Sequence, residues 1–62
     1  MCLSNVYEVS ADSEKLICEF VSDIRINGDT ITLIDVLGQE TTVTGKVTAV
    51  DLINNRVTIM AA

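Results

Sequence analysis

The stretch that most restricts the fold runs from Phe20 to Val36 and reads as a hairpin. Over residues 20–27 the residues alternate. Phe20, Ile24 and Ile26, with Ser22 among them, share one face, and Val21, Asp23, Arg25 and Asn27 share the other. A period of two marks a half-buried strand. Asn27-Gly28-Asp29 follows as a hairpin turn signal, and residues 30–36 form the returning strand. If Gly28-Asp29 is a two-residue loop, Ile26 meets Ile31 and Ile24 meets Leu33. An Asn27-Gly28 loop pairs Ile24 with Ile31 instead. Both registers keep the apolar face together, and the first matches more apolar pairs.

The remaining signals are also those of strands. Residues 3–9 suit a strand, although poor alternation leaves their facing open. Residues 10–14 are polar and read as a loop, in which Ser10, Ser13 and Glu14 could cap a short helical turn. Residues 15–19, which contain Cys18, give no clear signal. Leu37-Gly38-Gln39 turns the chain, and residues 40–44 form a short threonine-rich strand. Gly45 marks a bulge or sharp bend, as glycine in a strand often does. Residues 46–52 and 56–60 form a second hairpin about Asn54-Asn55, since Asn tolerates the left-handed conformations of tight turns. That loop sets Leu52 opposite Val57 and Val50 opposite Ile59. No proline interrupts these segments. The expected fold is all-β, a small SH3-like antiparallel β-barrel forming one domain over residues 1–62. An OB-like barrel is usually longer.

A chain of 62 residues lies near the lower limit for folding alone. Its core supplies only a few kcal/mol without a metal, a staple or a partner chain. The composition is 48% apolar, which argues against disorder. So much apolar residue on so small a body leaves apolar surface exposed, and a two-fold homodimer is expected. The net charge is -5, and Lys15, Arg25, Lys46 and Arg56 are scattered. A phosphate-binding surface needs clustered cations. One Phe and one Tyr supply a base-stacking platform poorly. Nucleic-acid binding is therefore disfavoured. The sequence shows neither a signal-peptide pattern nor an apolar run of spanning length. Two cysteines make no disulfide framework, so a cytoplasmic protein with reduced thiols is expected.

The chemistry-bearing residue is Cys2, a thiol at the second position of a chain without histidine. The Met1 amine, the residue-2 amide nitrogen and the Cys2 thiolate can wrap one metal ion through two five-membered chelate rings. Such ligands favour square-planar Ni(II) or Cu(II) over tetrahedral Zn(II). If Met1 is removed, Cys2 becomes the terminus, and two chains can supply a planar N2S2 set. The plainer reading is that Cys2 is a small hydrophobe after the start methionine.

Other candidates are weaker. Cys18, between Ile17 and Glu19, has no companion at ligand spacing. Asp23, Asp29, Asp35, Glu40 and Asp51 lie mostly at turns, where Asp favours local backbone bonding. Ser4, Ser10 and Ser22 have no histidine to activate them, and the usual general base at neutral pH is missing. Met60 reads as core or rim packing rather than as a soft ligand. A non-enzymatic protein is expected.

Three segments, Met1-Cys2-Leu3-Ser4-Asn5-Val6-Tyr7, Asp35-Val36-Leu37-Gly38-Gln39-Glu40 and Asp51-Leu52-Ile53-Asn54-Asn55-Arg56-Val57, resemble the CooT family. The resemblance covers nearly the whole chain. It implies a nickel-binding accessory protein linked to carbon monoxide dehydrogenase maturation, with a small β-barrel dimer as its fold. It also implies that Cys2 is the nickel ligand, while Cys18 falls outside the motif. On this reading the chain is a metallochaperone for Ni(II), with carbon monoxide dehydrogenase or a related nickel enzyme as client. An RNA-binding label sometimes given to the family conflicts with the acidic charge. The alternatives from other classes are a small RNA-binding barrel and a protein-interaction module whose sheet edge pairs with a partner strand.

Overall fold

The computed structural model describes residues 3–62. Met1 and Cys2 lie outside the described residues. The described chain forms five strands and no helix: β1 (Ser4–Ser10), β2 (Ser13–Asn27), β3 (Thr30–Asp35), β4 (Glu40–Asp51) and β5 (Arg56–Ala61). Each strand pairs with the next and β1 pairs with β5, so the sheet closes into a small barrel. The four consecutive pairings are antiparallel, and the closing pair of β1 with β5 is parallel. An up-and-down chain with an odd number of strands begins and ends in the same direction. Closing it on itself therefore forces one parallel contact.

The core consists of Val6, Val21, Ile31, Leu33, Val57 and Ile59. Ile31 with Leu33, and Val57 with Ile59, are two residues apart, as one face of a pleated strand requires. Ile17, Cys18, Ile24, Val43 and Val47 pack around them. Each fully buried aliphatic side chain contributes on the order of 2 kcal/mol.

The first hairpin has the register of the Gly28-Asp29 loop: Ile26 faces Ile31, and Ile24 faces Leu33. Gly28 has φ +61° and Asp29 has a negative φ, the pattern of a II′ turn with glycine first. The facing of β2 differs from the simple alternation. Val21 is buried, while Phe20 is 58% exposed. The register shifts between Val21 and Asp23. A bulge places one extra residue there and lets residues three apart share a face, so both Val21 and Ile24 turn inward. The Ser22 hydroxyl, within reach of the Ile34 and Asp35 carbonyls at 3.2 and 3.3 Å, donates to this bulge region of β3. Phe20, just before it, has φ +57°, uncommon for a bulky residue.

The polar stretch 10–14 is not a helical turn. Ala11-Asp12 joins β1 directly to β2, with Ser10 opposite Ser13 and their hydroxyls 2.9 Å apart. Residues 15–19 belong to β2. Its first half pairs with β1 and its second half with β3, and this long-range pairing overrides a weak local signal.

Strand β4 runs unbroken through Gly45, where it changes partner. It pairs with β3 up to Thr44 and with β5 from Gly45 onward. The Gly45 amide donates to the Asp29 carbonyl at 2.8 Å. A Cβ at Gly45 would lie 2.3 Å from the Met60 carbonyl oxygen. Only glycine lets β4 and β5 approach this closely at the corner. The register shift in β4 falls later, between Val47 and Ala49.

The second hairpin also departs from the expected register. Val50 faces Val57, and Val47 faces Ile59, so Leu52 lies in a four-residue loop instead of opposite Val57. The cause is Asp51. One carboxylate oxygen accepts from the Ile53 and Asn54 amides at 3.0 and 3.1 Å. The other accepts from the Asn54 side-chain amide at 2.8 Å. This Asx-type capping opens the loop at residue 52, and Asn55 closes it at φ +54°.

Replacing Gly45 by Ala must push β5 away or break the corner. Gly45→Ala is expected to lose about 3 kcal/mol, read as a lower urea midpoint with an unchanged slope. The Asn54 side-chain amide, followed by its backbone amide, holds the Asp51 carboxyl below its ordinary 3.8. A depressed carboxyl stabilises fully above its unfolded value, and that contribution is lost as pH falls through the lower folded value. The melting temperature of Asp51→Ala is therefore expected below that of the parent at neutral pH. The two curves should converge in acid; a constant gap would refute the cap.

Candidate metal centre

The two predicted ligands, Met1 and Cys2, lie outside the described residues, so the site is built from what surrounds the start of β1. The first residue of that strand, Ser4, pairs with Val21 of β2. On the other side Asn5 lies beside Arg56 of β5, and its amide donates to the Asn55 carbonyl at 2.9 Å. Val6 is fully buried. Within three residues of Leu3 the chain is held on both edges and anchored in the core. This follows from β1 being the strand that closes the barrel.

Ser4 also lines an open cleft of about 310 Å³, whose walls include Val21, Ile24, Val50, Leu52 and Val57. Val50 faces the buried Val57 across the hairpin yet is 57% exposed. The mouth of the barrel is thus open and apolar beside the start of β1. Ser22 and Asp23 form its polar edge. The Ser22 hydroxyl is used by β3, and the Asp23 carboxylate is paired with Arg25 at 3.1 Å.

The other candidates are not gathered here. Cys18 is a free, half-buried thiol opposite Val6. It packs against the core and makes one weak contact with the Glu19 carbonyl at 3.8 Å. Asp35 and Asp51 are turn caps; one Asp35 oxygen accepts from the Leu37 and Gln39 amides, both at 2.9 Å. Among the described residues no group of three or more His, Cys, Asp or Glu side chains could hold a metal ion. Met60 is half exposed on the rim beside Lys46 and Ala61.

Both arginines are similarly occupied. Arg56 lies over the Tyr7 ring with its guanidinium 4.0 Å from the centroid, and its head pairs with Glu14. That pairing raises the guanidinium pKa, first through the Glu14 hydrogen bond. The same contact covers one face of the tyrosine, while Arg25 is paired with Asp23. No helix among the described residues is long and apolar enough to cross a membrane.

The apolar mouth was not identified from sequence. Its one local signal is an aliphatic pair, Leu52-Ile53, ahead of a turn-forming Asn pair. Its walls come from four strands that only the closed barrel brings together.

Comparison with solved structures finds a chain assigned as CooT from Carboxydothermus hydrogenoformans. It superposes with a TM-score of 0.90 at 21% identity, covering 98% of this chain and 98% of that one. At that identity the likeness shows a shared fold. A comparison with curated proteins finds no match. The family model described as CO dehydrogenase accessory protein CooT matches residues 1–60. With nearly its whole length matched, the chain belongs to the CooT family of CO dehydrogenase accessory proteins.

Proposed function

We propose that this chain is a nickel-binding accessory protein that captures Ni(II) at its N-terminus and hands it to carbon monoxide dehydrogenase or a related nickel enzyme. The observation that carries the reading is the fixed start of β1, in a chain that belongs to an accessory family. Termini are usually frayed, but here Ser4 to Val6 are paired on both sides. The segment bearing Cys2 therefore leads into a rigid support. The Cys2 thiolate is the principal ligand, with the Met1 amine and a backbone amide completing the donors on one chain. A second chain's N-terminus completes the set in a homodimer. The protein acts in the cytoplasm with no turnover of its own. Transfer proceeds by ligand exchange, in which a client thiolate or imidazole replaces Cys2.

The two paired arginines, one of them stacked on the Tyr7 ring, support a nickel role over an RNA-binding one. Arg25 and Arg56 are already paired with carboxylates, so phosphate contacts would have to break existing ion pairs.

The test is a Ni(II) titration of the reduced full chain beside Cys2→Ser. The parent is expected to develop a thiolate-to-nickel absorption band that the variant lacks, with affinity at least tenfold higher. Binding requires the thiolate, so affinity should rise with pH up to the thiol pKa, nominally about 8.5. Equal, weak binding by both proteins would refute the N-terminal site. Cys18→Ser is expected to bind as the parent does.

A further inference from the structure

The chain holds one phenylalanine, and the aliphatic core does not include it. Phe20 is more than half exposed and stands at φ +57°, a backbone region that strains a bulky residue. Burial offsets little of that strain. The Val36 amide donates to the Phe20 carbonyl at 3.0 Å, so the turn after β3 adjoins it. That turn adds Val36, also more than half exposed, and Leu37, which is 89% exposed. Asp35 holds the turn: one carboxylate oxygen accepts from the Leu37 and Gln39 amides, and its carbonyl accepts from the Gly38 amide. Phe20, Val36 and Leu37 therefore form an apolar patch on a preorganised backbone, which loses little entropy on docking.

We propose that this patch is where the client enzyme docks, through a surface that offers an apolar pocket rimmed by lysine or arginine. The charge around the patch has one sign. Over residues 16–24 and 33–44 the charged side chains are Glu19, Asp23, Asp35 and Glu40, with no Lys or Arg. Asp23 is paired with Arg25 and Asp35 caps its turn. Glu19 and Glu40 flank the patch along the chain, are exposed, and make no ion pair among the described residues. An acidic rim about an apolar anchor selects a basic partner and speeds its approach. A contact centred on three side chains belongs with transient encounters, below about 1,200 Å² in total. A partner that must leave after transfer requires that class.

The inference deepens the proposed function and rests on it for the identity of the client. The sheet supplies the link between patch and cargo. Val21, next to Phe20, pairs with Ser4 on one side and Asp35 on the other. Two strand spacings, about 10 Å, thus separate the start of β1 from the patch. An enzyme seated on Phe20 and Leu37 lies beside the strand that follows Cys2, as ligand exchange demands.

The test measures binding of the metal-free full chain to purified nickel-free carbon monoxide dehydrogenase. The parent is expected to bind, with affinity falling at least tenfold from about 50 to about 500 mM salt as screening grows. Phe20→Asn, Leu37→Ser and the Glu19→Lys, Glu40→Lys double variant are each expected to bind at least tenfold more weakly. Phe20→Asn separates docking from folding, because Asn tolerates the left-handed conformation. It should melt no lower than the parent while losing the enzyme, and its Ni(II) titration should match the parent's. A lower melting temperature for Phe20→Asn overturns the proposal, as does an enzyme that binds these variants as it binds the parent. Sedimentation of Leu37→Ser that departs from the parent's oligomeric state also overturns it, by making the patch an interface between copies. A parent that fails to bind the enzyme overturns it too and leaves the Cys2 titration interpretable. Cys2→Ser is expected to dock as the parent does, so a failed nickel site and a failed docking site give different results.

Discussion

The parallel contact of β1 with β5, from Asn5 beside Arg56 to Val9 beside Met60, closes the sheet on itself. A five-stranded sheet of this length, left open, would expose two edges and half of its apolar side chains. Closure buries Val6 from one side and Val57 and Ile59 from the other. It also fixes where β1 begins relative to the rest of the molecule. The proposed nickel site depends on this closing contact, because β1 follows Cys2 and is the strand that seals the ring.

A barrel this small turns its corners within continuous strands. β2 and β4 each serve two neighbours in succession, and each does so at a point of local adaptation. In β2 the change falls at Val21, beside an exposed Phe20 in a left-handed conformation and a bulge at Ser22. In β4 it falls at Gly45, where the backbone of β5 occupies the space of a side chain. The small core of the described residues leaves little reserve, since a chain of this size buries only about 60% of the surface its unfolded form exposes. The apolar side chains left at the mouth and on the adjoining loop are the other side of that limit.

Several elements were legible in the sequence because they depend on local rules. Turn chemistry placed the first hairpin at Asn27-Gly28-Asp29, and the matching of apolar pairs favoured the Gly28-Asp29 loop, in which Ile24 faces Leu33. The alternation in β3 and β5 places Ile31, Leu33, Val57 and Ile59 inside. The inward turn of Val21 was not legible, because a bulge interrupts the period and no residue announces it. The register of the last hairpin was misread for a related reason. Asn54-Asn55 looked like a two-residue turn, while the carboxylate of Asp51 organised a longer one from outside it. The strand character of residues 15–19 was hidden because it comes from pairing with β1, distant in sequence.

The sequence by itself determined the fold class, the first hairpin and, through the match over residues 1–60, the family. These rest on periodicity, turn residues and motif identity, which are properties of neighbours along the chain. Tertiary structure decided the closing parallel pair, the change of partner at Gly45, and the meeting of Ser4, Ile24, Val50 and Val57 around one mouth. Those outcomes depend on which backbones come into contact when the sheet closes. The thiol at position 2 is legible in a line of letters, but the rigid strand behind it exists only once the barrel is shut.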